Sequence, residues 1–105
     1  MKVLRIDKSK IVEYLLNPTK SRGKAAFFLK MGFNGSEWEI LSEAMKMQAL
    51  SYPVSITAES PYGKRYSVDG EIQTPDGRFP RPRIRTVWIE EIDSQEWRLI
   101  TAHPI

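Results

Sequence analysis

Arginines are concentrated in one short segment of the chain. Four of the eight residues in Arg78-Phe79-Pro80-Arg81-Pro82-Arg83-Ile84-Arg85 are arginines. A guanidinium group can donate two parallel hydrogen bonds to a phosphate and keeps its charge near neutral pH. Two interpretations stay open: Arg81, Arg83 and Arg85 bind phosphates of a nucleic acid, or charge and proline protect an exposed sheet edge from aggregation.

A carboxylate is the expected partner of one arginine in this segment. Arg83 and Arg85 share strand alternation with Val87 and Ile89, which would place one arginine at the rim of the core. A half-buried arginine normally has an assigned anionic partner. Asp69 or Glu71 on the neighbouring strand, or an anionic ligand, would satisfy it.

A second basic group surrounds the start of a predicted helix. Lys20, Arg22 and Lys24 stand where free N–H groups and the helix dipole already favour an anion. We expect Arg22 and Lys24 to contact nucleic acid and Lys20 to serve in proton transfer. Simple solvation of these side chains is the competing interpretation.

His103 is the one side chain whose ordinary pKa lies near 6.5, so it is the natural candidate for general acid–base chemistry. On the last predicted strand it shares alternation with Trp97, Leu99 and Thr101, and Thr101 is expected to orient the reacting groups. Its place next to the C-terminus favours the alternative of an exposed histidine without a function.

Composition excludes several classes of site. The sequence has no cysteine and one histidine, which argues against thiolate and histidine metal centres. It has no glycine-rich phosphate loop, so neither a metal nor a nucleotide cofactor is expected. No apolar run is long enough to span a bilayer, and the first eight residues include charged side chains where a signal peptide needs an apolar segment. Both observations predict a cytoplasmic protein without a membrane partner.

Length and charge suggest one domain with an uneven surface. The 105 residues predict a single domain, 1–105, because a second core would need roughly 50 residues of its own. The net charge of +3 is unevenly spread, since residues 1–31 hold eight basic and two acidic side chains. Residues 64–88 hold six basic and three acidic ones, so a positive surface forms if the two blocks meet.

Helical periodicity fills the first half of the chain. Apolar spacing predicts a first helix over 10–16, ended by Asn17-Pro18, and a second over 22–31, ended by Gly32. Ser36-Glu37-Trp38-Glu39 has the form of a capping box and predicts a third helix that runs to Tyr52-Pro53.

Strand periodicity fills the second half. Alternating apolar residues predict strands over 54–59 and 65–72, and β-branched and aromatic residues predict two more over 83–92 and 97–102. Trp88, Trp97, Tyr62 and Tyr66 could stack nucleic-acid bases, but a tryptophan in a strand pattern more often belongs to the core. The order of elements predicts an α+β fold, with two or three N-terminal helices packed on one face of a roughly four-stranded antiparallel meander.

Short motifs along nearly the whole chain resemble a family of small uncharacterised bacterial proteins of about one hundred residues. The motifs are Leu15-Leu16-Asn17-Pro18-Thr19, Lys24-Ala25-Ala26-Phe27-Phe28, Met31-Gly32-Phe33, Tyr62-Gly63-Lys64-Arg65-Tyr66, Thr86-Val87-Trp88-Ile89 and Arg98-Leu99-Ile100-Thr101-Ala102. Proteins of this family are often encoded beside another very small protein, which the resemblance implies as a partner. The family has no established activity.

The layout of elements is also similar to that of the barnase-EndoU-colicin-RelE class of toxin ribonucleases. Many members of the small uncharacterised bacterial family carry a histidine soon after the Pro-Thr pair, where this chain has Lys20. A tyrosine is commoner in that family where this chain has His103. If that histidine were the catalytic base, this protein would be inactive or would rely on lysine and arginine.

Three functions follow from these residues. The first is a toxin-like, metal-independent ribonuclease, in which Arg85, Arg83 and Lys24 bind the phosphate, and His103 and Lys20 transfer protons beside Thr101. The second is a regulatory module that binds a small protein from a neighbouring gene. The third is a protein that binds RNA or other nucleic acid without catalysis. The oligomeric state is left open.

Overall fold

Five strands form one sheet in the computed structural model, which describes residues 3–105. In chain order they are β1 (Val3–Arg5), β2 (Val54–Ser60), β3 (Gly63–Glu71), β4 (Arg83–Glu91) and β5 (Glu96–Pro104). Their spatial order is β1-β5-β4-β3-β2; β1 runs parallel to β5 and the other pairs are antiparallel. The α+β prediction is confirmed, and β2 to β5 are the predicted meander. The added strand β1 has only three residues, too few to show an alternating pattern.

Helices occupy the segment between β1 and β2. In chain order they are a π-helix (Lys10–Leu15), α1 (Pro18–Lys30), a 3-10 turn (Gly35–Glu37) and α2 (Trp38–Ser51). Within the described residues, none has the length and apolar character needed to cross a membrane.

The Asn17-Pro18 pair both ends the first helical segment and begins the next. The Asn17 side chain accepts a hydrogen bond from the Thr19 N–H at 2.9 Å. Pro18 at the first position of the helix has no backbone N–H that would need an acceptor. α1 therefore begins four residues earlier than predicted. The backbone is non-helical at Arg22 (φ 32°, ψ −100°), so a kink lies where the second helix was expected to start.

Asn34, and not Ser36, caps the segment that leads into α2. Its side-chain oxygen accepts hydrogen bonds from the Glu37 N–H at 3.0 Å and from the Ser36 hydroxyl at 2.7 Å. The predicted capping box is wrong because the 3-10 turn begins at Gly35, and Asn34 stands directly before it.

Both α-helices pack against one face of the sheet and form the core with it. Fully buried residues come from the helices and from the sheet; the largest are Trp88, Phe28, Ile11, Leu15, Leu41, Met45, Ile72, Ile84, Leu99 and Val68. Burial of these apolar side chains is the main driving force for folding. Trp88 is thus a core residue and not a stacking platform.

A buried polar network ties α2 to the middle of the sheet. Gln48 donates from Nε2 to the carbonyls of Val68 at 2.9 Å and Ile84 at 3.2 Å. Its Oε1 accepts from the Thr86 hydroxyl at 2.8 Å, which in turn accepts from Trp88 Nε1. The network satisfies every polar side-chain group in it, as burial demands.

A β-bulge in β5 changes which side chains face the helices. Trp88 pairs with Leu99 and Val87 pairs with Thr101, which leaves Ile100 as the extra residue. Leu99 lies in the core, whereas Thr101 and His103 point to the opposite face. The prediction that His103 and Leu99 lie on the same face of the sheet is therefore wrong. The extra residue between them moves His103 to the opposite face.

Candidate functional site

The face of the sheet away from α1 and α2, here called the open face, carries a row of polar side chains. Asp69, Arg85 and His103 are direct register partners on β3, β4 and β5. Residues paired in this way share one face of a sheet. The fold thus brings together Arg85, Thr101 and His103, three of the four residues expected to take part in catalysis.

Arg85 is held by Asp69. Its Nε donates to Asp69 Oδ1 at 2.7 Å and its Nη2 donates to Oδ2 at 2.9 Å, in the parallel arrangement that suits guanidinium and carboxylate. The hydrogen bond from Arg85 is the main reason that the pKa of Asp69 lies below its usual value. The expected carboxylate partner is confirmed, and the pair faces the open side of the sheet and not the rim of the core.

His103 belongs to the ordered sheet. β5 runs to Pro104, and the Ile105 N–H donates to the Arg83 carbonyl at 3.2 Å. The imidazole is half-buried, with Nδ1 3.1 Å from the Pro104 carbonyl oxygen. The sheet thus holds the histidine in place close to the end of the chain.

A cluster of two lysines, a tyrosine and a threonine lies beside β5. We call Lys10, Tyr14, Lys24 and Thr101 the lysine–tyrosine cluster. Lys24 Nζ donates to the Tyr14 hydroxyl at 2.9 Å, and that hydroxyl lies 3.5 Å from Thr101 Oγ1. Lys10 Nζ lies 5.2 Å from the centre of the Tyr14 ring. The fold therefore joins Lys24 and Thr101 through a tyrosine.

The surroundings of Tyr14 lower the pKa of its phenol below the usual value. The hydrogen bond from Lys24 lowers the pKa of the Tyr14 phenol most, and the contact with Thr101 and the charges of both lysines act in the same direction. Partial burial opposes them but is the smaller effect. A tyrosine with a lowered pKa between two ammonium groups can accept a proton beside a bound anion.

The lysine–tyrosine cluster lies along the part of β5 that β1 does not cover. β1 pairs only with Glu96–Arg98, so the outer edge of β5 beyond Arg98 adjoins the π-helix and α1 instead. Ile11 and Leu15 of the π-helix are fully buried and fix its orientation. The bulge at Ile100 then sets Thr101 on the open face.

The remaining expected residues lie elsewhere. Lys20 and Arg22 are exposed on α1, whereas the polar and cationic groups that contact Tyr14 belong to Lys10, Lys24 and Thr101. Arg83 is exposed opposite Glu71 in the β3–β4 register. Arg81 lines a small cavity beside α2, on the helical side of the sheet.

Tyr14 was not among the residues expected to act. It lies in an apolar helical segment, is partly buried and packs against the core. A signal was present in its spacing, because Lys10 precedes it by four residues and so shares its side of a helical segment. The contact with Lys24 depends on how the π-helix and α1 pack, which spacing does not show.

The charged groups of the cluster suit an anion. Lys10 and Lys24 lie beside Tyr14, and lysine binds phosphate and not a metal ion. Within the described part of the chain, His, Asp and Glu side chains form no group of three that could hold a metal ion.

Comparison with known proteins identifies a family and a fold. A family model described as a domain of unknown function, DUF6883, matches residues 1–105. A chain of the contact-dependent growth inhibition toxin–immunity protein complex from Klebsiella pneumoniae 342 has a similar structure, with a TM-score of 0.69 and 17% identity. The likeness covers 94% of this chain and 91% of that one, and at this identity it shows a shared fold. No curated protein matches the sequence.

Proposed function

The chain belongs to the DUF6883 family of unknown function, and we propose that it is a toxin-like ribonuclease that cleaves RNA without a metal ion at the lysine–tyrosine cluster. The contact of Lys24 Nζ with the Tyr14 hydroxyl at 2.9 Å carries this proposal. It supplies a proton acceptor and positive charge at one point, the two requirements of phosphate transesterification.

Tyr14 acts as the general base in this reaction. The phenolate takes the proton of the RNA 2′-hydroxyl, and the 2′-oxygen attacks the adjacent phosphorus. The bond from phosphorus to the 5′-oxygen breaks, which leaves a 2′,3′-cyclic phosphate and a new 5′-hydroxyl end. Thr101 orients the phenol through their 3.5 Å contact.

Lys10 and Lys24 stabilise the charge that develops on the phosphate oxygens. Both ammonium groups lie within 5.4 Å of the Tyr14 ring centre. Positive groups already in place at a site lower the energy of a negatively charged transition state without further reorganisation.

His103 donates the proton that the leaving 5′-oxygen needs. It lies two residues beyond Thr101 on the same face of β5, a spacing of about 7 Å along a strand. One phosphodiester can therefore lie between the base and the acid. Lys20, which the sequence favoured for proton transfer, is exposed on α1, so Tyr14 is the better-placed base.

The shared fold supports the toxin-like part of the proposal. The neighbouring structure is a complex of a growth-inhibition toxin with an immunity protein. We infer a comparable partner for this chain, a small protein that inhibits it and that a neighbouring gene encodes. An acidic surface on that partner would complement the two lysines of the lysine–tyrosine cluster.

The test is cleavage of RNA by the purified full chain. A mixed RNA pool is incubated in EDTA with the wild type, with Tyr14→Phe and with Tyr52→Phe, and the products are read on a denaturing gel. Tyr52→Phe is the matched control, because it removes a tyrosine hydroxyl on the helical side of the sheet. We expect 2′,3′-cyclic phosphate ends, and a loss of at least ~100-fold in rate for Tyr14→Phe alone.

Three results would contradict the proposal. Intact RNA in every lane would exclude a ribonuclease that works without metal. Equal rates for Tyr14→Phe and wild type would remove the catalytic role of Tyr14. RNA that is bound in a salt-dependent way but left whole would favour a non-catalytic nucleic-acid-binding protein.

A further inference from the structure

A second cavity lies on the open face next to the lysine–tyrosine cluster. Its volume is about 310 Å³, at the lower end of the range for ligand pockets. Side chains from the π-helix, the β2–β3 turn, β3, β4 and β5 line it; these are Lys10, Tyr62, Arg65, Ile89, Glu91, Arg98 and Ile100. Its lining combines an aromatic ring, aliphatic side chains and charged groups.

The cavity can hold a flat ring. Ile89 is only 5% exposed although it lies on the open face, and Arg65 and Arg98 flank it as register partners. Tyr62 stands at the cavity with 73% of its surface exposed. An exposed tyrosine beside arginines is the arrangement on which single-stranded nucleic acids stack their bases.

Lys10 connects the cavity to the proposed site of cleavage. It lines the cavity, and its Nζ lies 5.2 Å from the centre of the Tyr14 ring. One lysine thus adjoins both places. A nucleotide whose phosphate lies at the lysine–tyrosine cluster can place its base in the cavity.

Glu91 gives the cavity a selective hydrogen-bond acceptor. Arg98 donates to Glu91 Oε1 from Nε at 3.0 Å and from Nη2 at 2.7 Å. No described residue donates to Oε2, which keeps both of its acceptor positions. The carboxylate is held in place by Arg98 and still has an oxygen available to a ligand.

Guanine is the base that matches this acceptor. Its Watson–Crick edge carries two adjacent donors, the N1–H and the N2 amino group, and both can point at one carboxylate. Adenine and cytosine present a ring nitrogen that accepts beside their amino group, and uracil flanks its single N–H with carbonyls. A carboxylate therefore repels part of each of the other edges.

We propose that this cavity is a guanine-binding pocket, in which Tyr62 stacks on the base and Glu91 accepts from its Watson–Crick edge. The inference rests on the proposed function, because it makes guanosine the nucleotide beside the RNA bond that is cut.

Binding of mononucleotides tests the pocket without any cleavage. The full chain is titrated with guanosine 3′-monophosphate and with the adenosine, cytidine and uridine 3′-monophosphates, by calorimetry or by NMR. We expect at least a tenfold lower Kd for the guanosine nucleotide. Glu91→Gln should remove that preference, and Tyr62→Ala should weaken the binding of all four nucleotides. The control Glu43→Gln on α2 should leave both the affinity and the preference intact.

The outcomes separate the pocket from the ribonuclease. Equal Kd values for the four nucleotides, or a guanosine preference that survives Glu91→Gln, would overturn the pocket even if RNA is cleaved. A guanosine preference lost in Glu91→Gln supports it even if no RNA is cut, and the ribonuclease proposal would then fail alone. In RNA oligomers, cleavage next to guanosines in the wild type and next to all bases in Glu91→Gln would support both.

Discussion

Arg85 and Asp69 face each other across β4 and β3 and are joined by two hydrogen bonds of 2.7 and 2.9 Å. The arginine that the sequence favoured for phosphate binding is therefore oriented by a carboxylate. The Arg85 Nη1 group remains to donate to an anion on the open face. Asp69 is thus a positioning residue for Arg85.

Asp69→Asn should destabilise the protein in a pH-dependent way. Arg85 lowers the pKa of Asp69 in the folded state. The ionised pair therefore stabilises the fold above the unfolded pKa of about 3.9, and this contribution is lost as the pH falls through the folded value. Urea unfolding of both proteins should show a larger difference in unfolding free energy at pH 7 than at pH 2. An equal difference at both pH values would contradict the ion pair.

Lys24→Met should raise the pKa of Tyr14. The hydrogen bond from Lys24 is the main cause of the lowered value, so its removal should move the Tyr14 titration toward the ordinary value of about 10. The ultraviolet absorbance of tyrosinate, compared with that of Tyr14→Phe, isolates this group.

Lys20→Met is the matched control for that titration. It removes a lysine charge from the same helix without touching Tyr14, so the Tyr14 curve should stay in place. A shift of the same size in both lysine variants would mean that general charge, and not the hydrogen bond, sets this pKa.

Gln48→Leu should be strongly destabilising. It keeps an apolar group of similar size but leaves the Val68 and Ile84 carbonyls and the Thr86 hydroxyl without their buried partner. An unsatisfied buried group of this kind lowers the free energy of unfolding by about 1–3 kcal/mol. Thermal or urea unfolding measures the loss, with Gln73→Leu at an exposed position as the control. Equal stability of the two variants would rule out an energetic role for the network.

Asn34→Ala should lower stability by about 1 kcal/mol, the usual effect of a lost N-cap. Ser36→Ala should have a smaller effect, because Ser36 donates to Asn34 and does not itself accept from the helix backbone. Unfolding in urea compares the two. The reverse order would restore the capping box that the sequence suggested.

Most of the fold could be predicted because its signals are local. Apolar spacing marks α2 and period-two alternation marks β3, since each pattern reflects which side of the element is buried. Alternation also predicted β2, although the residues of this strand are exposed apart from a half-buried Ser60. β1 escaped prediction because a three-residue parallel strand is stabilised by its partner β5 and not by a pattern of its own. The bulge at Ile100 escaped too, because nothing in a strand sequence marks an extra residue.

The residue types of the candidate site were determined by the sequence itself. Arginines, lysines and one histidine predict anion chemistry because their charges and donors are properties of single side chains. Which of them meet was decided only by the tertiary structure. The packing of the π-helix and α1 against β5 joins Tyr14 to Lys24 and Thr101, and the bulge turns His103 to the open face. Such contacts join residues up to 87 positions apart, and their energy depends on distances that no local pattern encodes.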